Sequence, residues 1–558
     1  MSPPAGRRNG NPFDSAKKPA VAVRVYGRRP PRAPPCRSRE DIAATALQQR
    51  KEQRVGVDEA LQAWFSGAFE QCLALCEAAR PRAADARLEL ALVNARALLR
   101  LARADEALAV LRDAAAIPCG ADQSITLRML TGAAHVRRGD LEHGLELLLA
   151  AQIDGAAAHR TIRSELALNV ALAHYGRRDF DAAERALHLV EPDADIVYAR
   201  ALEYFGWVAS ARVDGERATA MFVEALGALD RCRHYDRFLE ANCIRALAHL
   251  AVERLDRKTW AIVEERRAKI DWSADGLAQP RFWLAYCAAT YASEVQGNAL
   301  KAAREARAAE NGAPTVAFRV QARCKRSAIA RCAGEPIAQR DHAEAAADLY
   351  AALNPSEFTG DEPIVSLVLA EELASLGCND EAGSAVSTFL KFSRTSPMLS
   401  MTHSPATYAY QRLVEGAVLE SAGERRSAIR RYTEAFDLCV KFGYKRRAVC
   451  AALRLARLSS APGPAAYADA QTRRLSAQSW LRREAHAANQ RTLRLTTVQR
   501  EVLALICRGT SNPDIAAARK RSVHTMRNLV ARLFVMFAVS SREELAVECV
   551  RRGLYTPK

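Results

Sequence analysis

The sequence predicts an all-α chain, a long array of helical hairpins followed by a short C-terminal domain of four helices. Three observations carry that expectation. Residues 56–455 are rich in Ala, Leu, Arg and Glu, with apolar residues three and four apart and no strand-like alternation. A self-similar phrase returns nine times through the same stretch. From Leu495 onward, four short segments each open on a helix start signal of their own.

Composition bounds the rest. The chain has 558 residues, 81 Lys and Arg against 64 Asp and Glu, and a formal charge of +17. Hydrophobic residues make up 49% and charged residues 26%, ordinary values for a folded chain. No run of about 18 apolar residues occurs, so no membrane span is expected. The opening MSPPAGRRNG lacks the apolar core of a secretory signal, which reads as a cytoplasmic protein. The charge gathers at the ends: residues 1–40 and 491–558 each carry a balance of +8, and the body between them only +1. Two basic ends on a neutral body fit a polyanion handled at the termini. Residues 1–40 also hold eight of the 22 prolines and read as a disordered basic tail. The 14 cysteines are scattered singly without a Cys-x-x-Cys, and the 11 histidines show no ligand spacing. Reduced buried cysteines, no metal and no cofactor are therefore expected.

Within 56–455 the recurring phrase is an apolar helix end, a small residue, a short polar turn and an Ala-rich helix. It appears at Gly67 (WFSGAFEQCLALCEAA), Ala102, Gly139 and Gly176, then at Gly215, Gly297, Gly334, Gly377 and Gly423. Successive positions lie 35, 37, 37 and 39 apart, then 82, then 37, 43 and 46. The long gap fits two units with an unmarked turn near Asp256. Glycine accepts the left-handed conformation that ends one helix before the chain reverses into the next. A single hairpin cannot bury its own apolar face, so hairpins stack into a solenoid. These phrases resemble degenerate tetratricopeptide repeats. Such an array presents a surface to an effector or a protein partner. Trp64, Tyr204, Trp207, Trp283 and Tyr286 fit either an inter-helix core or a groove, with the core the commoner use of such residues.

Catalytic signatures are missing. There is no Gly-Lys pair for a P-loop, no Gly-x-Ser-x-Gly and no Gly-x-Gly-x-x-Gly, so the sequence reads as a non-enzyme.

SSAPGPAAY (Ser459 to Tyr467) interrupts the helical pattern, and 456–490 reads as a linker with a polar connector helix over 466–490 bearing Trp480. Residues 491–558 read as the separate C-terminal domain. Thr496 and Gln499 form a capping box for its first helix, which Gly509 ends. Ser511 and Asp514 open a second, with Pro513 in its first turn. Ser522 caps a third helix to about Phe537, and Ser541 with Glu544 opens a fourth. On the third, Met526, Val530, Leu533, Phe534 and Phe537 form one apolar stripe. His524, Thr525, Asn528, Ala531, Arg532 and Val535 fall on the opposite face, with Arg527 on its flank. Short polar and basic side chains on an outward helix suit a DNA major groove, and Lys520 and Arg521 stand where phosphates would pass.

The segment from Leu495 to Ala546 resembles the LuxR-type helix-turn-helix domain. The residues that carry the resemblance are Leu495-Thr496, Glu501-Val502-Leu503, Gly509, Ser511-Asn512, Ile515-Ala516, Ser522, Thr525, Arg527-Asn528, Val539 and Arg542. Arg519, Arg521, Leu529, Met536-Phe537 and Pro513 depart from that family's usual residues. The resemblance implies sequence-specific binding of double-stranded DNA, transcriptional control, and a third helix that enters the major groove. DNA contacts are then expected from Lys520, Arg521, Ser522, His524, Thr525, Arg527, Asn528 and Arg532. It also implies a homodimer on DNA joined through the fourth helix at Ala546 and Val550. The leading expectation is a DNA-binding regulator whose repeats sense an effector or a partner. The competing expectation is a helical-repeat interaction scaffold whose helix-turn-helix domain is degenerate and no longer reads DNA.

Overall fold

The computed structural model describes residues 56–558 except 82, 355–357, 359–362, 396–403, 460–461, 493–494, 538, 552–553 and 556–558. The basic tail expected over 1–40 lies outside the described residues. Among the described residues the regular structure is helical throughout. No helix among them is long and apolar enough to cross a membrane.

The array consists of antiparallel helix pairs. Helix α1 spans 56–66, followed by α2 (Phe69–Ala78), α3 (Ala84–Arg100), α4 (Ala104–Ala114), α5 (Ala121–Arg138) and α6 (Leu141–Asp154). Next come α7 (Arg160–Gly176), α8 (Phe180–Leu187), α9 (Ile196–Ala211), α10 (Gly215–Leu229), α11 (Arg237–Arg254) and α12 (Arg257–Arg267). The later pairs use α13 (Ala278–Thr290), α14 (Ala299–Asn311), α15 (Val316–Ala333), α16 (Pro336–Ala351), α17 (Ile364–Leu376), α18 (Asn379–Thr395), α19 (Pro405–Ser421) and α20 (Arg425–Lys441).

One residue at the reversal of each hairpin is left-handed: Gly67, Ala102, Gly139, Arg178, Val213, Leu255, Gly297, Gly334, Gly377 and Gly423. The turn expected near Asp256 is therefore the one at Leu255. In most of these turns the amide of the next residue bonds back across the last helical turn, as Arg103 does to Leu98 (2.9 Å) and Asp256 to Ala251 (2.8 Å). Asp179, Asp214, Asp256 and Asn298 then cap the returning helix with their side-chain oxygens. Two glycines of the sequence phrase do other work. Gly176 is the last residue of α7 and Gly215 the first of α10, and neither is left-handed; the caps are Arg178 and Val213. A Cβ on Gly176 would stand 3.1 Å from Leu141, and one on Gly215 would stand 2.7 Å from the Arg254 guanidinium, so close approach explains both. Glycine also lets hairpin partners meet. A Cβ on Gly132, Gly206 or Gly416 would strike Leu148, Phe222 or Tyr432 at 2.7–2.8 Å, each partner the same distance along the chain from its glycine.

The array closes on itself twice. Gly276 donates its amide to the Gly67 carbonyl (3.0 Å), which seats the first hairpin against the segment entering α13. Trp64 of α1 there lies between the guanidiniums of Arg100 and Arg200, 5.6 and 4.9 Å from its ring. Farther along, α21 (Lys445–Ser459) returns to α11. After it come α22 (Pro462–Thr472) and α23 (Trp480–Thr492), the latter packed beside a π-helical segment, Tyr291–Gln296, that extends α13. The connector is thus two helices where the sequence reads as one. They are fully packed, with Ala465, Ala466, Ala468, Leu481 and Ala485 buried. The break falls where Ser479 turns its hydroxyl to the Glu294 carbonyl and accepts from the Arg482 amide (3.3 Å).

The C-terminal unit contains α24 (Thr497–Cys507), α25 (Asn512–Ala518), α26 (Val523–Phe537) and α27 (Arg542–Arg551). Its own core is built on Val502, Ile506, Ile515, Met526, Leu533 and Phe537. The Arg519 guanidinium at the end of α25 pairs with Glu501 of α24.

Candidate functional site

The second closure frames a cavity of about 750 Å³, partly open to solvent and of a size that suits a drug-sized molecule. Its wall is assembled from the inward faces of first-position helices. Helix α11 supplies Arg245, His249 and Glu253 one turn apart; α13 and its π-helical end supply Trp283, Tyr286 and Glu294. Gln321 and Lys325 come from α15, Glu371 and Glu372 from α17, and Tyr410 from α19. Helix α21 completes the wall with Arg446, Arg447 and Arg454. A π-helical turn re-aims side chains that a regular helix would direct elsewhere, and here it brings the Glu294 carboxylate to Arg446.

Most of the wall's charge is internally matched. Arg446 donates to Glu253 (3.0 Å) and to Glu294 (3.0 Å), and Arg447 lies 3.2 Å from Glu253. Burial opposes ionisation of Glu253, but Arg446 and Arg447 outweigh it and bring the carboxyl down to about 2. Arg331 lies 2.7 Å from Glu372, which also accepts from Ser327 (2.8 Å); burial still holds that carboxyl above its ordinary range. The Tyr410 hydroxyl donates to Glu371 (2.8 Å), whose carboxyl stays low because Arg331 and Arg454 override its burial. Glu420 takes the Tyr432 hydroxyl (2.8 Å), Arg454 (3.3 Å) and Arg457 (2.5 Å).

Three groups in the cavity wall lack such partners. The Lys325 ammonium sits 4.6 Å from the centre of the Tyr286 ring, and the Arg245 guanidinium 5.0 Å from that of Trp207. No carboxylate of the described residues comes within ion-pair distance of either cation. Gln321 is fully buried with both its amide nitrogen and its amide oxygen unbonded. His249 reaches the cavity's solvent, yet the surrounding protein, with Arg447, Arg446 and Arg245 against Glu253, pushes it down to about 4. Its imidazole is therefore neutral at pH 7.

The residues singled out in the sequence form a different surface. His524, Thr525, Arg527, Asn528, Ala531, Arg532 and Val535 are all exposed on α26, and Met526, Val530, Leu533 and Phe537 are buried beneath them. Ser522 caps this helix, accepting from the Thr525 amide (3.1 Å), and the Asn528 amide lies 3.2 Å from the His524 ring. Exposed Lys520, left-handed at φ 49°, and exposed Arg521 precede the cap. These side chains line one exposed face along α26 and the turn before it. On α27, Val550 is exposed, Ala546 is half-buried, and Val547 is the more open neighbour at 68%. Arg473, just past α22, donates to buried Glu548 of α27 (3.0 Å) and fastens this unit to the connector.

The cavity residues were not identifiable as a set in the sequence, although Trp207, Trp283 and Tyr286 stood among the aromatic candidates. The available signal was the line Arg245, His249, Glu253 at four-residue spacing on a helix rich in Ala and Leu.

No family model matches this chain, and no curated protein matches it. Among solved structures, it is similar to a Rap protein complexed with competence and sporulation factor. That match has 13% identity over 73% of this chain and 98% of the other, with a TM-score of 0.36. It is also similar to the APC/C hetero-tetramer Cut9–Hcn1, at 14% identity over 93% and 97%, with a TM-score of 0.32. A third likeness is to Ypp1, at 9% identity over 90% and 89%, with a TM-score of 0.26.

Proposed function

We propose that this protein is a helical-repeat binding protein whose array holds an effector or partner segment inside its closed second half. The observation that carries this reading is the cavity, walled by inward-facing charged and aromatic residues where a purely structural array would close on apolar ones. Ala328 lines the cavity, so Ala328→Trp fills it. The expected result is that whatever co-purifies with, or is selected by, the wild-type chain is lost from Ala328→Trp while the helical content stays the same. Equal retention by both proteins would remove the cavity from the function.

A second reading adds DNA. It is favoured by the outward face of α26, where His524, Thr525, Arg527, Asn528 and Arg532 stand exposed over an intact core. In this reading the C-terminal unit is a LuxR-type helix-turn-helix that reads double-stranded DNA as a homodimer joined through α27, and the array conveys the bound state. Selection of duplexes from a random pool by the full chain tests it. Arg527→Ala and Arg532→Ala should each weaken the selected complex by about 1–3 kcal/mol. If no sequence binds above the non-specific level of about 10⁻⁴–10⁻⁶ M, the C-terminal unit does not read DNA and the scaffold reading stands alone.

A further inference from the structure

We propose that the cavity is a site for a small organic anion, a carboxylate or phosphate on an apolar or aromatic body, held between Lys325 and Arg245. The proposal rests on the cavity-binding reading above and adds the chemistry of the ligand. Its first support is an imbalance in a wall whose charge is mostly matched. Glu253, Glu294, Glu371, Glu372 and Glu420 each already hold an arginine, a tyrosine or a serine. Glu484, the remaining carboxylate of the wall, lies outside ion-pair distance of both Lys325 and Arg245. A cation turned from bulk water with no carboxylate in ion-pair contact is under-compensated, and a ring face replaces only part of what a contacting anion would supply.

The Lys325 ammonium is nevertheless kept charged. Burial opposes the charge, but Tyr286, Glu294 and Glu371 act the other way and hold its pKa above the ordinary lysine value. His249 faces the same space as a neutral imidazole, so it leaves the positive balance to Lys325 and Arg245.

The second support is Gln321, one turn before Lys325 on α15. Its side-chain amide is fully buried at the cavity wall with neither donor nor acceptor used. An unbonded buried amide is rare, and one beside an unpaired ammonium has the donor an oxyanion needs next to the charge that attracts it. The rings of Trp207, Trp283 and Tyr286 bound the same region, which fits an apolar or aromatic body on the anion. The volume of about 750 Å³ is that of a small-molecule site.

The test uses the full chain and three probes of one shape: 1-naphthoate, 1-naphthyl phosphate and the neutral 1-naphthamide, followed by calorimetric titration. The expected result is one saturable site for at least one of the two anions and much weaker binding of the amide. The tighter of the two anions identifies the carboxylate or the phosphate as the natural head. Lys325→Gln and Arg245→Gln should each weaken anion binding about tenfold or more. Lys269→Gln, at a residue outside the cavity, paired with Glu265 and 64% exposed, should leave it unchanged. Each variant is first shown to retain its helical circular dichroism, and Lys325→Arg, which keeps the charge, should retain most of the binding if Lys325→Gln does not fold. Binding of 1-naphthamide as tight as that of the anions overturns the anion assignment and leaves the cavity-binding reading standing. Absence of a saturable site for both anions overturns the proposal, and Ala328→Trp then decides the broader reading independently.

Discussion

Arg446 of α21 donates to Glu253 of α11 across 193 positions of sequence, at 3.0 Å, and so closes the second half of the array into a ring. With Glu253 almost fully buried, losing its partner would leave a charge that only Arg447 offsets. Arg446→Met should therefore cost about 3 kcal/mol in denaturant unfolding near neutral pH. The pH dependence follows from the direction of the shift. The folded-state pKa of Glu253 is depressed to about 2 from an ordinary 4.5, so its contribution is present above 4.5 and lost as pH falls through about 2. Stability of Arg446→Met should fall less steeply than that of wild type across that window. An unchanged acid limb would mean that Arg446 does not set the ionisation of Glu253.

Glu203 behaves in the opposite sense. It lies on α9, 5% exposed, and accepts from the Trp207 indole at 3.2 Å. Burial, only partly countered by Arg100, raises its carboxyl from 4.5 to about 7. The folded chain thus holds this proton more tightly than the unfolded chain. The resulting stability is fully present below 4.5 and is lost as pH rises through about 7. Glu203→Gln should leave stability near pH 5 little changed and raise it at pH 8 by roughly 2–3 kcal/mol, read from denaturation midpoints at both pH values. A variant less stable at pH 8 would show that the ionised carboxylate is favourable where it sits.

Gln321 offers a test in the free protein. A buried amide with no hydrogen bonds carries its desolvation cost uncompensated, and methionine has much the same shape without that cost. Gln321→Met should raise the stability of the unliganded chain by about 1 kcal/mol. The same change should weaken the anion complex. A fall in unliganded stability would indicate that the amide already has a partner.

The sequence discloses local structure far better than closure. Hairpins are legible because Ala and Leu recur at helical spacing and because Gly67, Gly139, Gly297, Gly334, Gly377 and Gly423 take the left-handed turns they signal. The unmarked turn is legible only as a gap, since Leu255 carries no sign of its conformation, whereas Asp256 after it does act as a cap. The stripe Met526, Val530, Leu533, Phe537 is a purely local pattern and lies under the exposed face of α26 as its spacing implies. The cavity is not local. Arg446 and Glu294 belong to helices 152 positions apart, and nothing in either segment marks the other. What α11 does disclose is a polar line on a helix buried on all other sides, the mark of an interior that is not apolar.

The turns themselves yield a paired prediction. Ala102 is exposed and left-handed at φ 60°, a conformation that costs an L-residue about 1–2 kcal/mol and glycine almost nothing. Gly334 occupies the corresponding position of another hairpin at φ 78°, and a Cβ built on it meets nothing within 4 Å. The two sites therefore isolate backbone strain from packing. Ala102→Gly should stabilise the chain by somewhat less than 1 kcal/mol, because the added freedom of the unfolded chain offsets part of the relief. Gly334→Ala should destabilise it by a similar amount, the strain being offset in part by the reduced freedom of the unfolded chain, with no packing contribution. Equal and opposite shifts in the denaturation midpoint, at constant steepness, would confirm that the left-handed caps act alike across the array. If Ala102→Gly instead lowers the midpoint, the Ala102 turn has relaxed out of the left-handed region. In that case the second hairpin reverses by a different geometry from the other nine.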